Sequence, residues 1–199
     1  MKVLAVACAL LALVAAGCSS NKKSTATATT TTPPPTTAIP PLPPARTADV
    51  WARRVVDLLF RPLNQDLLVV SNFDSPRIRI FIETGNQVTL RAIRTRMGDL
   101  SQCTAKLDAI GRPPARPAAL TRVYTHLRAA CRSYVTVAKT LLTASQMLSS
   151  GKTDVVKRGN DLARTAAKPS QTAAQELTAA IKIAQGLPAF RRAGLNPSV

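Results

Sequence analysis

Side chains able to carry covalent or proton-transfer chemistry are few in this 199-residue chain, which holds four cysteines and one histidine. His126 would have to serve any Ser-His-Asp or Cys-His reaction. It stands one position off the apolar stripe of Val123 and Leu127, and no Gly-x-Ser-x-Gly turn occurs anywhere in the chain. Ser150-Gly151-Lys152-Thr153 has the form of a P-loop tail. The full motif needs glycine five residues before Gly151, where Gln146 stands, and a strand before it, where the periodicity gives a helix. Gly151 therefore reads as a helix stop and Thr153 as a cap. The ten acidic residues include Asp57, Asp66, Asp99, Asp108 and Asp161, scattered among arginines. Asp66 and Asp74 read as cap or ion-pair residues. Cys103 and Cys131 are too far apart in sequence to supply the close ligand pairs of a metal site. The chain is thus expected to be non-enzymatic, with no catalytic residue, metal or cofactor.

The other two cysteines lie near the N-terminus. Lys2 gives a short positive segment, and residues 3–16 form a 14-residue apolar run broken only mildly by Cys8. That is short of the ~20 residues a membrane-spanning helix needs and suits the core of a signal peptide. It ends in Val14-Ala15-Ala16-Gly17 directly before Cys18. Ala15-Ala16-Gly17-Cys18 resembles the lipobox of bacterial lipoproteins, with alanine where that family prefers leucine at position 15. The resemblance covers about the first 20 residues. It implies cleavage between Gly17 and Cys18, lipidation of the Cys18 thiol, and retention at the outer face of the cell membrane. Two acyl chains, at ~0.8 kcal/mol per buried methylene, suffice for stable anchoring where one gives marginal binding.

Composition divides the chain into a signal peptide (1–17), the lipidated cysteine with a Thr/Pro-rich linker (18–47) and a folded domain (48–199). Runs such as Thr29-Thr30-Thr31-Thr32-Pro33-Pro34-Pro35 offer nothing to bury, so the linker is expected to be disordered. Its prolines favour a polyproline spacer of ~3.1 Å per residue, roughly 90 Å at most, and its threonines are candidate O-glycosylation sites.

The domain reads as all-α, an up-down bundle of four helices. Thr47 would cap the first, with Trp51, Val55, Leu58 and Leu59 inward and Pro62 kinking or ending it. Ser75-Pro76 opens a second that runs to Gly111, with Ile93, Met97, Leu100, Leu107 and Ile110 on one face. Pro113, Pro114 and Pro117 break it. The third carries the stripe Leu120, Val123, Leu127, Cys131, Tyr134, Ala138, Leu141, Ser145 and Leu148. The fourth shows Val155, Leu162, Ala166, Ala173, Leu177, Ile181 and Ala184, with a kink expected at Pro169. Residues 67–90, where Arg77-Ile78-Arg79-Ile80 alternates and Gly85-Asn86 marks a turn, leave a small hairpin as the alternative to helix. An extracytoplasmic location permits disulfides. Cys103 and Cys131, on the apolar sides of helices two and three, are therefore expected to be bonded. Their unequal distances from the proline turn offset them by roughly 10 Å, which residues 112–117 would have to absorb.

The formal net charge is +17, and the domain carries 23 basic against 10 acidic residues. Arg91, Arg94 and Arg96 cluster on the second helix, and Lys157, Arg158 and Arg164 on the fourth. These six are the candidate anion contacts, and Arg191-Arg192 lies near the end. The seven aromatic residues are not interleaved with the basic ones as nucleic-acid stacking platforms would be, so nucleic acid is not expected. The expected partners are the membrane through the anchor and anionic lipid or cell-wall polymer through the basic faces. The sequence points to no protein partner. The alternative function is a ligand-binding or sensing bundle, with a small molecule in a core cavity opened by Pro62 and Pro169.

Overall fold

The computed structural model describes residues 39–73 and 75–195. The expected cleavage and lipidation site at Gly17 and Cys18 and most of the expected linker lie outside them. Every regular element among the described residues is a helix, so the chain is all-α and the hairpin alternative at residues 67–90 is not what forms.

Thr47 Oγ1 accepts the Val50 N–H and starts α1 (Ala48–Val55), with Asp49 in its first turn favoured by the helix dipole. The chain stays helical through a π turn (Val56–Phe60) into α2 (Arg61–Asn72). The break expected at Pro62 is thereby replaced. An unbroken α-helix would set the proline ring against the Leu58 carbonyl. Instead the Arg61 N–H reaches back to Val56 O, and the wider turn absorbs the misfit ahead of Pro62. The same turn re-aims the apolar face: Val56, Leu59 and Phe60 are buried, while Leu58, expected inside, is 41% exposed.

The single helix expected from Ser75 to Gly111 is three: α3 (Pro76–Glu83), α4 (Gln87–Ser101) and α5 (Cys103–Ile110). Ser75 caps α3 through the Ile78 N–H. Gly85, at φ +69°, then ends that helical stretch, and Asn86 caps α4 through the Thr89 N–H. At the second break the Ser101 hydroxyl donates to Gly98 O and the Gln102 N–H to Asp99 O, a tighter turn that leaves the α-ladder. The inward face survives both breaks: Ile93, Met97, Leu100, Leu107 and Ile110 are all buried.

Residues 111–118 lead to α6 (Ala119–Leu148), 30 residues and the one expected helix realised without interruption. All nine residues of its expected stripe are buried, and Ser145 satisfies its hydroxyl on Leu142 O. Gly151 (φ +71°) then turns the chain. Thr153 is not a cap but the first residue of α7 (Thr153–Thr165). Lys152 holds the cap position in an extended conformation, and Ser150 Oγ accepts its N–H. Pro169 does not kink a helix in its middle. The chain breaks at Ala166 and restarts as α8 (Ala167–Gln185), which places Pro169 in the first turn where no N–H is needed. On the fourth run, Ala166, Ala173, Leu177 and Ala184 are buried, whereas Val155, Leu162 and Ile181 are only half-buried. A short α9 (Pro188–Arg192) follows.

Helix α6 is the hub: α3, α4, α5, α7 and α8 all pack on it, and α9 joins α8 to α1. Small residues let the helices approach closely, with Ala130, Ala138, Ala144, Ala173, Ala180 and Ala184 buried among them. On α7, a Cβ at Gly159 would lie 2.9 Å from Met147 Cβ and 3.2 Å from Leu148 N, so only glycine lets that backbone rest on α6. Cys103 and Cys131 form a disulfide joining α5 to α6, with a Cα–Cα distance of 5.1 Å, and both residues are buried. Trp51 is wholly buried, donates Nε1–H to Gly111 O at 3.0 Å and meets the Phe190 ring edge-on at 5.9 Å. The last linker residues lie on the domain. The Leu42 N–H bonds Ala109 O, Arg54 donates to Pro43 O, and Ala45 is buried.

Candidate anion-contact surface

Half of the six candidate cations are held by acids. On α4, Arg91 and Arg94 are exposed and make no ion pair with a described residue, but Arg96 turns back to Asp66 Oδ1 at 3.5 Å and Gln65 Oε1 at 3.2 Å. On α7, Arg158 pairs with Asp154 at 3.1 Å and Arg164 with Asp161 at 3.6 Å, while Lys157 is exposed and unpaired. Such exposed pairs contribute little stability, but each cancels the local charge. The two clusters sit on different helices, both packed on α6.

A third basic face was not read from the sequence. Residues 119–148 contain no Asp or Glu at all. Arg128, Arg132 and Lys139 fall within an arc of about 40° at 100° per residue, and all three are exposed and make no ion pair with a described residue. They span roughly 16 Å along the helix axis. Thr125, Thr136 and Thr143 flank them, their hydroxyls turned back onto carbonyls one turn earlier. Tyr124, Thr125, Arg128, Ala129 and Arg132 line a shallow depression of about 270 Å³. The missing acids over 30 residues were the available sequence signal.

His126 finds one acidic neighbour among the described residues. His126 Nδ1 and Glu176 Oε2 lie 2.7 Å apart across α6 and α8, each about a third exposed. Glu176 is the one carboxylate within hydrogen-bond reach of His126 among the described residues. Tyr134 is pushed up to about 12 by burial and stays neutral. Among the described residues no three His, Cys, Asp or Glu side chains gather as metal ligands, and no helix is long and apolar enough to cross a membrane.

Asp66 is the outlier. It is buried on α2, and its pKa is raised above 3.8, first by desolvation and then by the Asp99 carboxylate, against the opposing pull of Lys106 and Arg96. An acid whose folded-state pKa is raised favours the folded state below its unfolded value, and that contribution is lost as pH rises through the folded value. Asp66→Asn should therefore melt at a higher temperature than the parent at neutral pH. The gap should close as pH falls below about 3.8. Thermal melts across that window check it, and an Asn variant less stable at pH 7 would show that Asp66 works as a favourable ion pair.

Pro62 and Pro169 are the places where a core cavity for a small molecule is expected. Neither lines the groove with the most apolar walls, which is a surface feature of about 580 Å³ between α2, α3 and α4. Comparison of the chain with known protein families, characterised proteins and solved structures finds no match.

Proposed function

We propose that this chain is an exported lipoprotein, held at the outer face of the cell membrane by acyl chains on Cys18, whose helical domain is a non-enzymatic module that docks on anionic envelope components. The lipobox-like Ala15-Ala16-Gly17-Cys18 supports the address. The observation that carries the partner class is the exposed cationic row Arg128, Arg132 and Lys139, on a helix without one acid to neutralise it. Arg91, Arg94 and Lys157 add unpaired charge on other faces. Anionic phospholipid at the membrane surface is the first partner, and a phosphate-bearing wall polymer meets the same chemistry.

Two measurements test this. Cys18→Ser should abolish acylation and the cut after Gly17, so that the chain accumulates at precursor mass and takes up no labelled fatty acid. A variant still cut before residue 18, or a parent that takes up no fatty acid, would end the lipoprotein reading. For the domain, the chain from residue 18 onward, without the apolar signal segment and carrying Cys18→Ser, should sediment with phosphatidylglycerol vesicles at ~0.1 M salt and be released at ~1 M, as the Debye length falls from about 10 Å to about 3 Å. Near an anionic surface each cation contributes about 1 kcal/mol. Replacing Arg128, Arg132 and Lys139 together by glutamine should then weaken binding about 100-fold. Salt-independent binding, or a triple variant that binds like the parent, counts against the module.

A further inference from the structure

Between α2, α3 and α4 lies a groove whose walls are almost wholly apolar, formed by Leu68, Val69, Ile78, Phe81, Ala92 and Ile93. Its volume of about 580 Å³ falls in the range of small-molecule sites. Leu68 in its wall is 60% exposed, and Ile80 and Val88, at 58% and 79%, extend the exposed apolar surface along α3 and α4. Several polar groups at its edges are already occupied. Asn72 donates to Leu68 O, Ser75 Oγ caps Ile78, and the Thr89 N–H is held by Asn86. The groove therefore offers apolar contact with almost no hydrogen-bonding group left over for a polar ligand.

One charge breaks that pattern. Arg77 lines the groove, its guanidinium 6.0 Å from the centre of the Phe81 ring, and it makes no ion pair with any of the described residues. Its neighbour Arg79 is engaged by Glu83 and Asn160. Beyond α4 the unpaired Arg91 borders an adjoining depression that shares Ala92 with the groove. An apolar trough with a free cation at its edge complements a molecule with one hydrocarbon tail and one anionic head.

We infer that this groove holds a single anionic phospholipid, one acyl chain along Leu68, Ile78, Phe81 and Ile93 and the phosphate at Arg77. The inference deepens the proposed envelope reading and rests on its membrane-side location. It adds a defined one-to-one site to what is otherwise a diffuse charged face.

The test uses the chain from residue 18 onward, without the apolar signal segment and carrying Cys18→Ser, exposed to phosphatidylglycerol or phosphatidylcholine vesicles and examined by native mass spectrometry. One phosphatidylglycerol per chain is expected, favoured over phosphatidylcholine by about fivefold, the effect of one cation near an anionic headgroup. Ala92→Trp should fill the trough from an exposed position and remove the adduct. Arg77→Glu should abolish the headgroup preference. Val50→Trp, on exposed α1 surface away from the groove, should bind like the parent and so controls for folding. Absence of any lipid adduct, or an adduct retained in Ala92→Trp, overturns the site. So does a dimer that Ala92→Trp dissociates, because the groove's occupant would then be a second copy. Vesicle sedimentation separates the two readings. If it remains salt-dependent without an adduct, the groove inference falls and the charged-face module stands. If an adduct forms while sedimentation ignores Arg128, Arg132 and Lys139, the site stands and the charged-face module falls.

Discussion

Replacing both Cys103 and Cys131 by alanine should lower the melting temperature of the protein by about 10 °C. The bond closes a loop of 28 residues in sequence separation, and removing that constraint from the unfolded chain costs about 3–4 kcal/mol. A domain of this size loses about 2–4 °C per kcal/mol. The local consequence should be larger than the global one. Helix α5 is only eight residues long and is otherwise held mainly by Leu107 and Ile110 against its neighbours. Hydrogen exchange in α5, and in residues 39–46 that bond to it, should accelerate before the rest of the protein is affected. Calorimetry with and without reductant gives the same comparison without mutation. An alanine pair that melts with the parent, whose own thiols are found free by mass spectrometry, would remove the staple from the account.

Trp51→Ala should cost a comparable amount by another route. Truncating a wholly buried tryptophan typically costs about 3–5 kcal/mol. Here the loss is compounded because Trp51 joins three parts of the chain. Its ring meets Phe190 of α9, which in turn lies 6.1 Å from Phe60 in the π turn, and its Nε1–H holds Gly111 O at the exit of α5. Trp51→Phe keeps most of the packing and forfeits that hydrogen bond, so it should cost closer to ~1 kcal/mol plus a small void. Circular dichroism melts rank the three proteins. Trp51 is also the only tryptophan, so in the parent its fluorescence should resist aqueous quenchers until the cooperative transition. Early quencher access, or an alanine variant as stable as the phenylalanine one, would show that this corner of the core carries little.

What could be read in advance follows from the range of the interactions. The stripe of α6 was legible because 30 residues keep one helical period with no breaker. The breaks at Gly85-Asn86, Gln102 and Ala166 were not placed, because apolar periodicity carries through each while the backbone does not. Gly85-Asn86 did read as a turn, yet its residues were retained inside one long helix. Leu58 was misplaced because a π turn rotates everything after it, and sequence spacing assumes 3.6 residues per turn throughout. For the basic candidates, the Asp154–Arg158 and Asp161–Arg164 pairs were readable from i,i+4 and i,i+3 spacing. Arg96 with Asp66 and His126 with Glu176 are 30 and 50 residues apart, and only tertiary packing brings them together. Clusters of cations drew attention, whereas the useful signal was an absence of acids along α6.

The segment that enters the domain, residues 39–46, is fastened at Leu42 to α5 and at Pro43 to α1. Any tension arriving through the N-terminal tail is therefore first resisted there, before it can peel α1 from its end. From α5 the strain passes across a covalent bond into α6, the longest rod and the one on which α3, α4, α5, α7 and α8 pack. The protein is thus mechanically grounded at its centre, and a tug on the tail loads the helix least able to unravel alone.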